Sequence, residues 1–478
     1  MILVHRPWFA TLALATIVLA GCVTPEQVTP AAALDAGAPL GLVRLQIVNG
    51  MSFTQSVVKP AVGTAQDLYE PTMEVSDSGT IYVAAHVIGA ATTGTPAWFS
   101  NDQGKTWAPL PFASSVQAPS PLQGSQPPPG DEGFIVAGEH GQAWMADIYA
   151  AGFSITGWCD NGKTQCYDNR QAYDRVGSTT TCTPASLNDR PWAAYANGTL
   201  LLVNNPGGGP MQIGVMKVPP SAPVGVLGVN GPEWNMCASK GGDIPGIPAM
   251  RGDGRFAVPQ MYTDNDKQVL NVIVGNSADI SKVETKEAFH VASAGDGTSN
   301  GGRTAFDKEG TLFVGARNNT YESKPNPDTN PLTGGGDIVT VKEGRFILAV
   351  STDGGQTFKN ATFAAIDDKP LQSLYLDGNM AGRGALLTWS QVGADKTKAD
   401  WFVAHVFVGP DGAPVLEDVT LAVDEGPQFA AHVMGAAAGP DGRAYFVNFK
   451  DAADPAAYAG STPISVWMQK DGPTLPIG

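Results

Sequence analysis

Ser100-Asn101-Asp102-Gln103-Gly104-Lys105-Thr106-Trp107 returns later in the chain as Ser351-Thr352-Asp353-Gly354-Gly355-Gln356-Thr357-Phe358. A third, degenerate copy keeps the spacing with Asp160, Gly162 and Thr164. Each full copy follows an apolar run, Pro96–Phe99 or Phe346–Val350. The shared pattern is Ser-x-Asp-x-Gly-x-Thr-aromatic. Its Ser and Asp can bond the backbone N–H groups of the turn they begin, and Gly supplies a positive φ. The Thr and the aromatic residue start a returning strand. The pattern predicts a recurrent hairpin corner in a chain of short strands. The composition agrees: 57 Gly and 37 Pro with only 15% charged residues suit many tight turns, and no sustained helical period occurs beyond the N-terminus.

Two full copies and one degenerate copy resemble the Asp box, or BNR repeat, of sialidase-like β-propellers. The resemblance implies an all-β ring of four-stranded antiparallel blades, with Ser100, Asp102, Gly104, Trp107, Asp160, Gly162, Ser351, Asp353, Gly355 and Phe358 in structural roles. A looser repeat then counts the blades. An apolar strand, a short Gly turn and a β-rich strand recur with closing glycines at 79, 141, 198, 254, 310, 384 and 442. The spacing is nearly even except between 310 and 384, where residues 318–340 form a Pro, Asn and Gly-rich insertion. Seven blades are expected, with six, as in sialidases, the alternative because 244–262 and 376–391 are the least regular units. The clearest unit should run through strands at 302–306, 311–317, 344–351 and 357–363. The last unit shows three strands, so an N-terminal strand should close the ring. The run 42–48 is the expected donor, since a propeller must protect its edges.

The N-terminus reads as an export signal. Arg6 precedes an apolar segment, Trp8 to Ala20, too short for a good membrane span. Leu19-Ala20-Gly21-Cys22 resembles the lipobox of bacterial lipoproteins. That resemblance implies cleavage before Cys22, its acylation, and attachment at the cell envelope. With Val23 next, it implies the outer membrane if the host is Gram-negative. Residues 1–21 are therefore the expected signal peptide, 22–41 an Ala, Pro and Thr-rich tether, and 42–478 one propeller domain. Four further cysteines suit an oxidising compartment. Cys159 and Cys166 flank the degenerate turn and are expected to pair, leaving Cys182 with Cys237. A zinc site is the competing reading, although no CxxC pair exists. The net charge of −16 argues against nucleic acid as a partner.

In a propeller the first-to-second and third-to-fourth strand turns share one face. The long segments 113–132, 204–210, 318–340, 392–400 and 450–462 belong to the other, where binding is expected. Candidate ligand residues at that mouth are Glu70, Asp189, Arg190, Asp243, Arg303, Arg317 and Tyr262. Asn188-Asp189-Arg190-Pro191-Trp192 resembles an entry motif of Asp-box proteins, with Trp192 expected to pack between blades. A sialidase needs three arginines on the substrate carboxylate and a Tyr activated by Glu. The family's Arg-Ile-Pro is missing, Arg251, Arg255, Arg383 and Arg443 fall on the turn face, and no Tyr–Glu pair is assignable. The reading is an anchored, monomeric binding propeller for a carbohydrate or protein, with a sialidase-type (exo-alpha-sialidase) glycan hydrolase as the alternative. No cofactor or metal is expected; Asp264 and Asp266 resemble a calcium-type run without the Gly and distal Glu that complete one.

Overall fold

The computed structural model describes residues 42–58, 67–88, 95–111, 133–149, 152–169, 188–206, 211–218, 233–235, 244–264, 267–291, 302–324, 338–395, 398–427, 435–449 and 463–478. They form a seven-bladed β-propeller of small antiparallel sheets. Blade 1 comprises Asp67–Val75, Ile81–Ile88, Ala97–Ser100 and Ala108–Pro109. Blade 2 comprises Gly133–Ala137, Ala143–Tyr149, Gly152–Cys159 and Thr164–Asn169. Blade 3 follows with Asn188–Ala196, Thr199–Pro206, Gln212–Lys217 and Glu233–Asn235. Blade 4 has a first strand broken into Ile244–Pro245 and Ala249–Met250, then Arg255–Asp264, Lys267–Asn276 and Asp279–Val291. Blade 5 runs Arg303–Phe306, Leu312–Arg317, Arg345–Ser351 and Lys359–Ala364, each within two residues of its expected bounds. Blade 6 is Leu371–Gly378, Ala385–Val392, Lys398–Val408 and Pro414–Pro427. Blade 7 has Ala436–Ala438, Ala444–Phe449 and Ile464–Asp471, completed by Ser52–Val58 from the N-terminal side. Seven units, not six, are present, and 376–391 is regular.

The closing strand lies later than expected. Ser52–Val58 pairs antiparallel with Ile464–Asp471, while Val43–Arg44 pairs in parallel with Lys359–Ala364 on the outer edge of blade 5. Between them Val48 donates to the Val419 carbonyl of blade 6 at 2.7 Å. The N-terminal segment thus belts blades 5 and 6 before it closes blade 7. Packing decides between the two runs. Phe53 meets Phe446 edge-on at 5.5 Å and Val58 is buried, whereas Val43, Ile47 and Val48 stay exposed.

All seven glycines chosen as turn markers have φ between 67° and 90°. The two full Ser-x-Asp-x-Gly-x-Thr turns have one hydrogen-bond plan. Ser100 Oγ donates to Asp102 Oδ1 at 2.8 Å and receives the Gly104 N–H at 2.8 Å. Thr106 donates its N–H to Asp102 Oδ1 and its hydroxyl to Oδ2. Ser351, Asp353, Gly355 and Thr357 repeat every bond. The hydroxyl and N–H of Thr106 hold the Asp102 carboxyl down at about 2. Burial pushes Asp353 up, but its bonds from Ser351, Thr357 and Gln356 bring it to about 2 as well.

These turns also clamp blade to blade. A Cβ on Gly104 would stand 2.7 Å from Met468 of blade 7, on Gly162 2.7 Å from Phe99 of blade 1, and on Gly355 2.5 Å from Val274 of blade 4. Each turn therefore presses on the preceding blade. Trp107 donates its indole N–H to Ser56 Oγ of the closing strand at 2.8 Å, and Ser56 in turn donates to the Gly104 carbonyl. Aromatic rings fill the other interfaces: Trp192 lies edge-on to Phe134 at 5.3 Å, between blades 3 and 2 as expected. Cys159 and Cys166 are joined by a disulfide across the degenerate turn. Cys182 and Cys237 lie outside the described residues, as do the signal segment and the tether.

Gly79 and Gly442 separate backbone strain from crowding. Both have positive φ, but a Cβ meets nothing within 4 Å at Gly79 and meets the Leu475 carbonyl oxygen at 2.2 Å at Gly442. Gly79→Ala should cost about 1–2 kcal/mol. Gly442→Ala should cost roughly 1–3 kcal/mol more through overpacking. Urea unfolding of the two variants checks this; equal losses would show that the tail does not constrain the turn.

Candidate functional site

The first strands of the blades surround the propeller axis, and several are built of small residues: Ala193-Ala194, Ala436-Ala437-Ala438, Ala305 and Ala249. Small side chains leave the axis unfilled. A cavity of about 430 Å³ results, walled partly by Phe134, Phe306, Ile247 and Leu376. It opens on the turn face: Asp77, Glu139, Asn197, Gly252, Met380 and Pro440 line it and are exposed. The expected binding face is the opposite one. There, residues 113–132 and 450–462 lie outside the described set, and the described ends of the 318–340 insertion pair as antiparallel strands, Thr320–Lys324 with Ile338–Glu343. The expected slack loop is thus partly a pair of strands.

Glu74 of blade 1 and Tyr375 and Asp377 of blade 6 line the inner part of the cavity. Tyr375 and Asp377 are two residues apart on one strand, so both point to the same side. Asp377 Oδ2 accepts the Ala438 N–H of blade 7 at 2.7 Å. Glu74 and Asp377 are both half-buried. Burial, then repulsion from Asp377, raises its carboxyl well above the usual carboxylate range. Burial likewise pushes Asp377 up, to about 7, against bonds from the Ala438 and Gly378 N–H groups. Tyr375 is also raised, by burial first and then by the charges of Glu74 and Asp377. Its hydroxyl has no hydrogen bond among the described residues. Behind it, the Arg303 guanidinium lies 5.6 Å from the ring centroid.

Of the sequence-derived candidates, Glu70, Arg303 and Arg317 have described side chains. Arg303 is 1% exposed and donates Nη1 to the Gly302 carbonyl at 2.9 Å, in addition to its position over Tyr375. Arg317 is half-buried and donates to the Gln372 carbonyl. Glu70 is buried at a strand irregularity with φ 45°. Asp189, Arg190 and Tyr262 fall on strands whose side chains there lie outside the described set, and Asp243 lies outside it altogether. The Asp264-Asn265-Asp266 run is likewise only partly described. Elsewhere Asp400, Asp424 and Glu425 gather carboxylate oxygens within 4.8 Å of one another. Lys369 already meets Asp400 at 3.2 Å, and Glu425 accepts the Ala394 and Asp395 N–H groups.

Sequence reasoning missed Glu74, Tyr375 and Asp377. It sought the site at the starts of first strands and the ends of second strands, whereas these residues stand near the ends of first strands. The available signal was Asp377 itself, a charge two residues from Tyr375 within the apolar strand Leu371–Gly378.

No family model and no curated protein matches the chain. Among solved structures, it is similar to a Dyadobacter fermentans protein of unknown function at 12% identity and TM-score 0.45, over 87% of this chain and 98% of that one. It is similar to the phage phi92 endosialidase at 11% identity and TM-score 0.43, over 90% and 70%. An α-L-arabinofuranosidase of Fusarium graminearum gives 11% identity and TM-score 0.42, over 87% and 98%. Likenesses this distant carry no statement of activity.

The raised carboxyls set a pH dependence. Glu74 and Asp377 keep protons that the unfolded chain releases near pH 4, so their contribution favours folding below about pH 4 and is lost as pH rises through about 7. Asp377→Asn keeps an acceptor for Ala438 N–H and cannot ionise. Relative to the parent it should gain roughly 1–3 kcal/mol between pH 5 and pH 8. Melting curves at the two pH values check this; parallel shifts would mean that the carboxyls titrate as they do in water.

Proposed function

We propose that the chain is an exported propeller, lipid-anchored through Cys22, that binds a carbohydrate or protein partner at its long-loop face without sialidase turnover. The observation that carries this reading is the disposition of Arg303 and Arg317. Both are turned to backbone carbonyls, and Arg303 is also stacked under Tyr375, rather than aimed together at an open mouth. A sialoside carboxylate needs convergent guanidinium forks with donors free to accept it. The strand pair Thr320–Lys324 with Ile338–Glu343 supports the choice of face, since paired strands supply an edge for a partner. A glycan hydrolase remains the second reading because two carboxyls of raised pKa share a cavity with a tyrosine, a set suited to acid and base roles.

A fluorogenic sialoside, incubated with purified protein from pH 4 to 8, should give no turnover above a buffer blank. Turnover abolished by Glu74→Gln in a variant of unchanged melting temperature would overturn the binding reading in favour of the hydrolase. For the anchor, Cys22→Ser should move the protein from the detergent-soluble membrane fraction to the soluble one. Three acyl chains, each worth about 0.8 kcal/mol per buried methylene, would otherwise hold it. Membrane retention unchanged by the substitution would refute lipidation. In the oxidising compartment so reached, a non-reduced digest should yield a peptide joining Cys182 to Cys237.

A further inference from the structure

We infer that the turn-face cavity is a binding site for an organic ammonium ion with an apolar body, separate from the long-loop face. Among the described residues lining the cavity, four are acidic, Glu74, Asp77, Glu139 and Asp377, and none is Lys, Arg or His. Arg303 lies over the Tyr375 ring and donates to the Gly302 carbonyl. The walls are aliphatic and aromatic, suited to a hydrocarbon body. The inner end offers the Glu74 and Asp377 carboxyls and the Tyr375 hydroxyl, in a residue 3% exposed and without a hydrogen-bond partner among the described residues. The hydroxyl oxygen lines the cavity and can accept a ligand N–H.

Charge selects the class of ligand. An anion entering this cavity would meet four acidic side chains and no basic one among the described lining residues. A neutral polyol would leave the Glu74–Asp377 repulsion in place. An ammonium group relieves that repulsion and donates to both carboxyls, and aromatic faces favour it further. The pair holds a proton near neutrality, so a cation that binds between the two carboxyls displaces that proton to the buffer. Asp77 and Glu139 at the exposed mouth add a field that draws cations inward. Asp77 also accepts the His140 and Gly141 N–H groups, which fixes its carboxylate at the rim.

Isothermal titration of the full chain with 2-phenylethylamine and hexylamine tests the site, with 2-phenylethanol and phenylacetate as neutral and anionic shape controls. The expected result is saturable binding of both amines and none of the controls. Buffers of different ionisation enthalpy should reveal proton release on binding near pH 7. Glu74→Gln should weaken the amines on the order of tenfold or more. Because Asp377 also holds the Ala438 N–H, Glu74→Gln is the decisive variant, with its melting curve recorded alongside. Three results would overturn the assignment: no amine binding at millimolar concentration, equal binding of phenylacetate, or amine affinity unchanged in folded Glu74→Gln. None of these bears on binding at the long-loop face, and sialoside turnover is read independently.

Discussion

Closure of the seam between blades 7 and 1 is the constraint on which the rest of this structure depends. Each blade buries both faces against its neighbours, so a ring left open would expose two apolar faces and a run of unpaired strand edge. The chain closes it three times over. The outer strand of blade 7 comes from residues 52–58, remote in sequence from the other three. Trp107 of the blade 1 turn reaches across to Ser56 of that strand. On the axis, Gly435 lies so close to blade 1 that a Cβ there would stand 2.2 Å from the Met73 nitrogen. One turn motif thus serves hairpin and seam together, because the residue after its Thr is a large aromatic with a polar N–H.

The same economy extends around the turn face. Asp77 of blade 1 accepts N–H groups from blade 2, Asn197 of blade 3 donates to the Gly252 carbonyl of blade 4, and Asp307 of blade 5 accepts the Gly384 N–H of blade 6. The C-terminal tail adds bonds from Leu475 to Gly442 and from Gly478 to Ala381. These ties bind turn to turn at the rim, where little apolar surface is left to bury. They leave the axis itself free of filler, so the cavity is a consequence of the ring geometry combined with alanine-rich inner strands.

Much of this was legible in the sequence, for definite reasons. Positive-φ turns need Gly, so Gly79 through Gly442 marked every first-to-second corner and counted the blades correctly. The Ser-Asp-Gly-Thr turn is specified entirely by local bonds, so Asp102 and Asp353 could be assigned before any tertiary contact was known. What failed was what depends on pairing over long sequence separation. Residues 42–48 and 52–58 both alternate well enough for a strand. The contact of Phe53 with Phe446 and the burial of Val58 distinguish them. The cavity residues were obscure for a related reason. Glu74 is separated from Asp377 by most of the ring in sequence, and the two come to line one cavity only when the ring closes, with Ala436–Ala438 of blade 7 falling between their blades.

That meeting is expensive for the fold. Burial raises both carboxyls at the axis, Asp377 raises Glu74 further, and neither is paired with a cation among the described residues. Arg303 is within reach of the same cluster, yet it lies behind Tyr375 instead of between the acids. Replacing the acids with Leu or Gln would remove the repulsion and fill space that the alanines leave empty. Structural ion networks do not explain such an arrangement, because they pair their charges. A half-buried pair of acids facing a cavity with an open mouth is instead the arrangement expected where a site is held ready for a charge that the protein does not itself supply.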